Sequence, residues 1–137
     1  MLYVIRHGQV DTNIKNQVNG WNEEKLNSVG IQQAINAGDQ LKNIRIDVFF
    51  CSPLLRTRQT YNNLNIKDIP IFYDDRIKER NSNSMVYADV ETLDNNIWYD
   101  GTKNIIYKDS EGFKSIINRT ESVSYTHLRA HETELHL

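Results

Sequence analysis

The sequence predicts an α/β layered fold. Short apolar runs with β-branched or aromatic residues alternate with segments of helical periodicity, the pattern of strand–helix–strand units. Two of these runs end in polar triplets containing Gly or Pro, Arg6-His7-Gly8 and Cys51-Ser52-Pro53, as strands do where they open into loops. The chain has 137 residues, 39% hydrophobic and 25% charged, which suits one domain with a packed core.

Residues 2–5 are apolar and partly β-branched, and read as a buried strand that gives way to Arg6-His7-Gly8. Residues 9–26 form a polar loop with a turn signal at Asn19-Gly20. Asn27 or Ser28 then caps a helix whose Ile31, Ala34, Ile35, Gly38 and Leu41 recur in steps of three and four, placing them on one face. The continuous apolar run 47–51 predicts a central parallel strand. Ser52 follows as N-cap and Pro53 as first helical residue of a helix over 53–64. Residues 69–73 are a third strand, which Pro70 confines to an edge or a strand start. Helices are expected over 86–99 and over 110–121, the latter with Phe113, Ile116 and Ile117 on one face.

Charge and composition exclude several classes of function. Sixteen basic against eighteen acidic residues leave a net charge of −2, which argues against a nucleic-acid binder. Any site for an anion must therefore be a local cluster. No apolar run approaches the ~20 residues needed to span a bilayer, and the chain opens without a secretory hydrophobic segment. Cys51 is the one cysteine, so no disulfide framework exists, and the Asn118-Arg119-Thr120 sequon has no meaning without secretion. A cytoplasmic protein without membrane association is expected.

Open α/β sheets bind ligands where strand ends meet polar loops. The second such place here opens a helix, whose free N–H groups attract anions, with Arg56 one turn further in. Arg6 and Arg56 carry planar forks that match phosphate oxygens, and Gly8 lets a ligand approach the backbone. His7, neutral near pH 7, can attack phosphorus as a nitrogen nucleophile. Taken alone, the same residues also fit a plainer description. An isolated His is more often a surface or packing residue, Arg56 can be a solvated helix residue like Arg58, and Glu79 sits in a Lys-Glu-Arg charge run.

Several ordered motifs favour the phosphate pocket. Arg6-His7-Gly8-Gln9 with Asn13 resembles the opening signature of the histidine phosphatase superfamily, the phosphoglycerate-mutase-like proteins. Asn19-Gly20-Trp21 resembles the family's substrate loop, and Leu26-Asn27-Ser28-Val29-Gly30-Ile31-Gln32-Gln33-Ala34 its next helix start. Ser52-Pro53-Leu54-Leu55-Arg56-Thr57-Arg58-Gln59-Thr60 resembles its Ser-Pro-Leu-x-Arg-x-x-Gln-Thr helix. Asp75-Arg76-Ile77-Lys78-Glu79-Arg80 resembles the stretch that delivers its acidic residue, and Ser110-Glu111-Gly112-Phe113 with Arg119 a later helix. The resemblance implies a three-layer fold, a mostly parallel sheet flanked by helices, incomplete at the C-terminus. It implies that His7 accepts the phosphoryl group and that Arg6 and Arg56 bind its oxygens. It further implies that Gly8, Asn13 and Gly20 help to seat phosphate and substrate, and that Glu79 donates the proton to the leaving oxygen. No metal or other cofactor is implied. Val10 stands where the family usually has Thr, and no Gly follows Glu79 within the next few positions.

The family also carries a second His in a Ser-His-Gly type motif, which nothing here matches. His127, His131 and His136 are followed by Leu, Glu and Leu, and no Asn or Ile occurs beyond Asn118, although the chain holds sixteen and fifteen of them. His127 and His131 have metal-ligand spacing without supporting context, and three residues between Glu132 and His136 break the zincin pattern. The segment after Ser122 resembles translated sequencing adapter. Residues 1–121 are therefore expected to be a partial histidine phosphatase domain and 122–137 a non-native tail. The expected function is phosphomonoester hydrolysis through a phosphohistidine, acting on a small phosphorylated metabolite, with no nucleic acid or membrane as partner. The alternatives are a phosphoglycerate mutase and a truncated, inactive phosphate-binding fragment. Oligomeric state is left open.

Overall fold

The structure, a computed structural model, describes residues 1–102, 106–123 and 126. The segment containing His127, His131 and His136 lies outside the described residues. Its elements are α1 (Asp11–Ile14), α2 (Ser28–Leu41), β1 (Phe49–Cys51), α3 (Leu55–Asn63), β2 (Ile71–Tyr73), α4 (Asn95–Trp98) and α5 (Phe113–Val123). Turns of 3-10 helix occupy Asp75–Ile77, Asn83–Met85 and Val90–Thr92.

The two strands pair in parallel, Phe49 opposite Ile71 and Cys51 opposite Tyr73, as a βαβ unit requires with α3 as the crossover. Pro70 sits just before β2, where only its carbonyl is needed, and accepts from Phe49 N at 2.8 Å. Phe50 stacks on Phe72 at 5.7 Å, and Phe49 meets Tyr61 of α3 edge-on at 5.2 Å. The α/β class with a parallel sheet and flanking helices therefore holds. Strand β1 is half-buried rather than enclosed.

Helix α2 begins where its cap predicts, with the Asn27 side chain accepting from Gly30 N at 2.9 Å. The buried face differs from the expected one. It is Gly30, Ala34, Gly38 and Leu41, while Ile31 and Ile35 are exposed. The reason is backbone-to-backbone packing. A Cβ on Gly38 would stand 2.1 Å from Leu64 O at the end of α3, and one on Gly30 would stand 2.2 Å from Gln9 O. Small residues let this face approach so closely, and the neighbouring isoleucines are turned outward.

Three further expectations are corrected. Residues 2–5 form no strand, and Val4 is 87% exposed. An apolar run becomes a strand only beside a partner that completes its ladder, and the described strands β1 and β2 pair with each other. Helix α3 starts at Leu55, not Pro53, with no side-chain cap from its N-cap residue Leu54. The Glu23 carboxylate takes that place, accepting from Leu55 N at 3.1 Å, so a side chain already holds this helix N-terminus. Residues 86–99 are not one helix. Asp89 and Asp94 each bond forward to a backbone N–H, at 2.9 Å to Glu91 N and 3.0 Å to Asn96 N, and restart the chain as separate short turns.

Helix α5 forms close to its expected span, but Ile117 is exposed and Val123 is buried. Val18, Met85, Leu93 and Trp98 form a hydrophobic cluster, with Tyr107 edge-on to Trp98 at 5.7 Å. No helix among the described residues is long and apolar enough to cross a membrane.

Candidate active site

The loop after residue 5 carries His7 half-buried and ties it to α3. Gly8 N donates to Thr60 Oγ1 at 2.9 Å, and that hydroxyl donates to Arg56 O at 2.8 Å. His7 Nδ1 lies 2.7 Å from Gly8 O. A carbonyl can only accept, so this contact places the ring proton on Nδ1 and leaves the Nε2 lone pair free. Burial holds the imidazole below its ordinary pKa of 6.5, the Arg56 and Arg6 charges lowering it as well while the Gly8 carbonyl and the Glu79 charge pull the other way. The ring is therefore neutral at pH 7.

Arg56 is the most enclosed charge, 0% exposed on the inner face of α3. Its Nη1 donates to Asn22 O at 3.0 Å, and its Nη2 to Gly20 O at 2.6 Å and Glu79 Oε2 at 2.8 Å. Its buried Nε has no hydrogen-bond partner. An unpaired buried N–H costs about 1–3 kcal/mol, so a ligand oxygen there would be stabilising.

Glu79 is held by its backbone. Its carbonyl accepts from Trp21 Nε1 at 2.7 Å and from Arg119 Nη2 at 3.1 Å. The same guanidinium donates through Nη1 to Arg76 O at 2.7 Å and Lys78 O at 2.6 Å. Glu111 grips Arg119 with both oxygens, at 2.8 and 2.9 Å, and also accepts from Asn81 N at 3.1 Å. Nothing in the one-dimensional pattern announces that Trp21, Glu111 and Arg119 jointly fix Glu79. Their sign in the sequence is that Trp21, Glu111 and Arg119 all fall within the motifs that resemble the family's.

Arg6, His7, Asn13 and Glu79 line one cleft of about 700 Å³. Arg6 is exposed and makes no hydrogen bond among the described residues. Asn13 Oδ1 is already used by Val10 N at 3.0 Å, leaving its amide nitrogen as the end available to a ligand. Gly8, Gly20 and Arg56 stand behind the wall rather than in it. Gly20 reaches the site through its carbonyl, which orients Arg56. Among the described residues no group of three His, Cys, Asp or Glu is placed to hold a metal ion.

This pairing of a neutral His with two guanidinium groups and a carboxylate agrees with a match at family level. The sequence profile of the histidine phosphatase superfamily (branch 1) matches residues 2–136. The chain belongs to that superfamily. Among histidine phosphatase relatives, it is 36% identical over 99 residues to a 2,3-bisphosphoglycerate-dependent phosphoglycerate mutase of Methylobacterium, covering 68% of this chain and 45% of that one. It is 37% identical over 94 residues to a protein of Schizosaccharomyces pombe named a probable phosphatase, covering 67% and 43%. The chain thus spans under half the length of these relatives. The fold is shared with Bacillus stearothermophilus YhfR, which superimposes with a TM-score of 0.75 at 21% identity over 89% of this chain and 66% of that one.

The Glu111–Arg119 pair makes the site acid-sensitive. Burial pushes the Glu111 carboxyl up, but the hydrogen bonds from Arg119, Asn81 and Ser115 outweigh it and bring the group from 4.5 down to about 2. The unfolded carboxyl binds a proton more readily, so this contribution is complete above about pH 4.5 and lost as pH falls through about 2. Discounted for partial exposure, it amounts to roughly 2 kcal/mol. Urea midpoints measured from pH 6 to pH 2 should fall in that window, and Glu111→Gln should flatten the fall. Identical pH dependence in the variant would contradict the role given to this pair.

Proposed function

We propose that the protein is a phosphomonoester hydrolase working through a phosphohistidine at His7, with a small phosphorylated metabolite as substrate. The observation that carries this is the His7 ring itself: neutral, its proton held at Nδ1 by Gly8 O, and within electrostatic reach of Arg6, Arg56 and Glu79. In the first step the Nε2 lone pair forms a bond to phosphorus as the bond to the ester oxygen breaks. Glu79 gives its proton to that oxygen, and the alcohol leaves. In the second step water attacks the phosphorus, Glu79 takes the water proton, and the N–P bond breaks to release phosphate and restore the imidazole. Arg6 and Arg56 meet the charge that builds on the phosphoryl oxygens in both steps. Asn13 seats the phosphate directly, while Gly8 and Gly20 act from behind the wall through the carbonyls that orient His7 and Arg56. As phosphoryl oxygens take over the donors of Arg56, the Glu79 carboxyl is released to carry the proton.

Mutase chemistry is the second reading, favoured by the relatives named phosphoglycerate mutase. It shares the first step and differs in returning the phosphoryl group to the sugar acid. Incubation with 3-phosphoglycerate separates the two, since free phosphate supports the hydrolase and isomerised product without phosphate supports the mutase. Glu79→Gln should lower turnover by about 10²–10⁴-fold, and unchanged turnover would remove Glu79 from the mechanism.

We also take residues 122–137 as a non-native tail on a partial domain formed by 1–121, and a cytoplasmic location as suited to the one free thiol, Cys51. If the tail is instead native, an inactive phosphate-binding fragment becomes the better description. Sequencing the source DNA through codons 118–137 without ligated adapters decides this. An open frame into an apolar strand and a Ser-His-Gly motif supports the first, and a frame encoding residues 122–137 unchanged supports the second.

A further inference from the structure

The cleft that holds His7 has two chemically different kinds of wall. One is polar and carries Arg6, His7, Asn13 and Glu79. The other carries apolar groups interspersed with amide side chains and the Ser82 hydroxyl: Val18 and Trp98 belong to the hydrophobic cluster, Val90 packs against that cluster, and Tyr99 and Phe113 join them. At about 700 Å³ this open cleft has room for more than a phosphoryl group.

The one cation among the apolar residues is Arg80, and it is already committed. Its Nε, Nη1 and Nη2 donate to Glu111 O, Trp98 O and Ser110 Oγ at 2.8, 2.8 and 2.9 Å. Its guanidinium carbon lies 4.2 Å from the Trp98 ring centre and 4.8 Å from that of Phe113. Held this way, it extends the aromatic surface as a flat plate. A carboxylate at the far end of a substrate would meet aromatic faces there, and among the described residues lining this wall the one cation is already engaged. Tyr99, 61% exposed, is the ring at this wall that lies open to solvent.

We infer that the preferred substrates are phosphomonoesters whose alcohol carries a planar, uncharged aromatic or heteroaromatic group, with Tyr99 as a residue that determines this preference. The inference rests on the phosphate-binding reading of the His7 site and names what binds beside it. It sets the substrate apart from small phosphorylated sugar acids.

Calorimetry of the full chain with three non-hydrolysable probes tests it: naphthylmethylphosphonate, methylphosphonate and phosphonopropionate. The naphthyl compound should bind about tenfold or more tightly than methylphosphonate, and phosphonopropionate no more tightly than methylphosphonate. Tyr99→Ala, at an exposed position that leaves the hydrophobic cluster intact, should narrow the naphthyl-to-methyl ratio severalfold. Equal binding of the naphthyl and methyl probes, tightest binding of phosphonopropionate, or a ratio unmoved by Tyr99→Ala would each overturn the inference while the phosphate site stands. Failure of all three probes to bind would overturn the phosphate site and the inference with it.

Discussion

His7→Ala is expected to abolish formation of an acid-labile, alkali-stable phosphoprotein and to lower monoester turnover by ~10⁴-fold or more, the scale of loss when a covalent nucleophile is removed. The expectation follows from the tautomer. With Nδ1–H directed to Gly8 O at 2.7 Å, Nε2 is the one basic atom on the ring, and no other histidine lies within the described residues. Burial, joined by the Arg56 and Arg6 charges, keeps the ring neutral below its ordinary pKa of 6.5, so phosphoryl uptake should persist into mildly acidic solution before protonation removes the lone pair. A phosphoprotein of undiminished yield in His7→Ala would contradict this. So would an acid limb lying above pH 6.5, because it would require the charged ring to be favoured.

The second large effect is expected at Arg56. Its guanidinium is fully buried, paired with Glu79, and bonded to two loop carbonyls. Arg56→Ala removes all three contacts and leaves those acceptors unsatisfied. Deleting one side of such a pair costs about 3–5 kcal/mol when both partners are buried, and roughly 3 kcal/mol with the Glu79 side partly open to solvent. That should lower Tm by about 10 °C in a domain of this size. Arg56→Lys separates stability from function. An ammonium keeps the charge but lacks the fork that spans Gly20 O, Asn22 O and a phosphoryl oxygen together. Phosphate or vanadate should raise the Tm of the native chain through binding to the folded state, and that rise should be nearly lost in Arg56→Lys. An equal rise in the two proteins would show that Arg56 does not bind the anion.

Much of the fold was legible because it rests on local chemistry. The Asn27 cap, the β1 run ending at Cys51 and the position of Pro70 at the start of β2 all form as their residue types dictate. What escaped prediction depends on contacts between distant segments. The buried face of α2 is set by Gly38 against Leu64 and Gly30 against Gln9, which no periodicity of apolar residues reveals. The start of α3 is set by Glu23, thirty-two positions away in sequence from the N–H it accepts. Residues 2–5 have strand composition without a strand to pair with, and composition cannot supply the partner.

The candidate site divides in the same way. The family resemblance brought out Asn13 and Glu79 beside Arg6 and His7, and the fold gathers these four around one cleft. It did not indicate that Arg56 and Gly20 would sit behind that cleft, joined to each other through the Gly20 carbonyl. Nor did it indicate that α5 would reach back through Arg119 to three successive carbonyl contacts on the segment ending in Glu79. Such positioning depends on backbone acceptors, and those are the same for every residue type in the sequence.

The nitrogen that carries phosphorus tests the account most directly. Phosphorylated protein should be prepared with a small phosphoryl donor such as phosphoramidate, mapped by mass spectrometry and examined by phosphorus NMR. Phosphate on Nε2 of His7 is the predicted result. Phosphate on Nδ1 of His7, on another residue, or on none would contradict the assignment of the nucleophile.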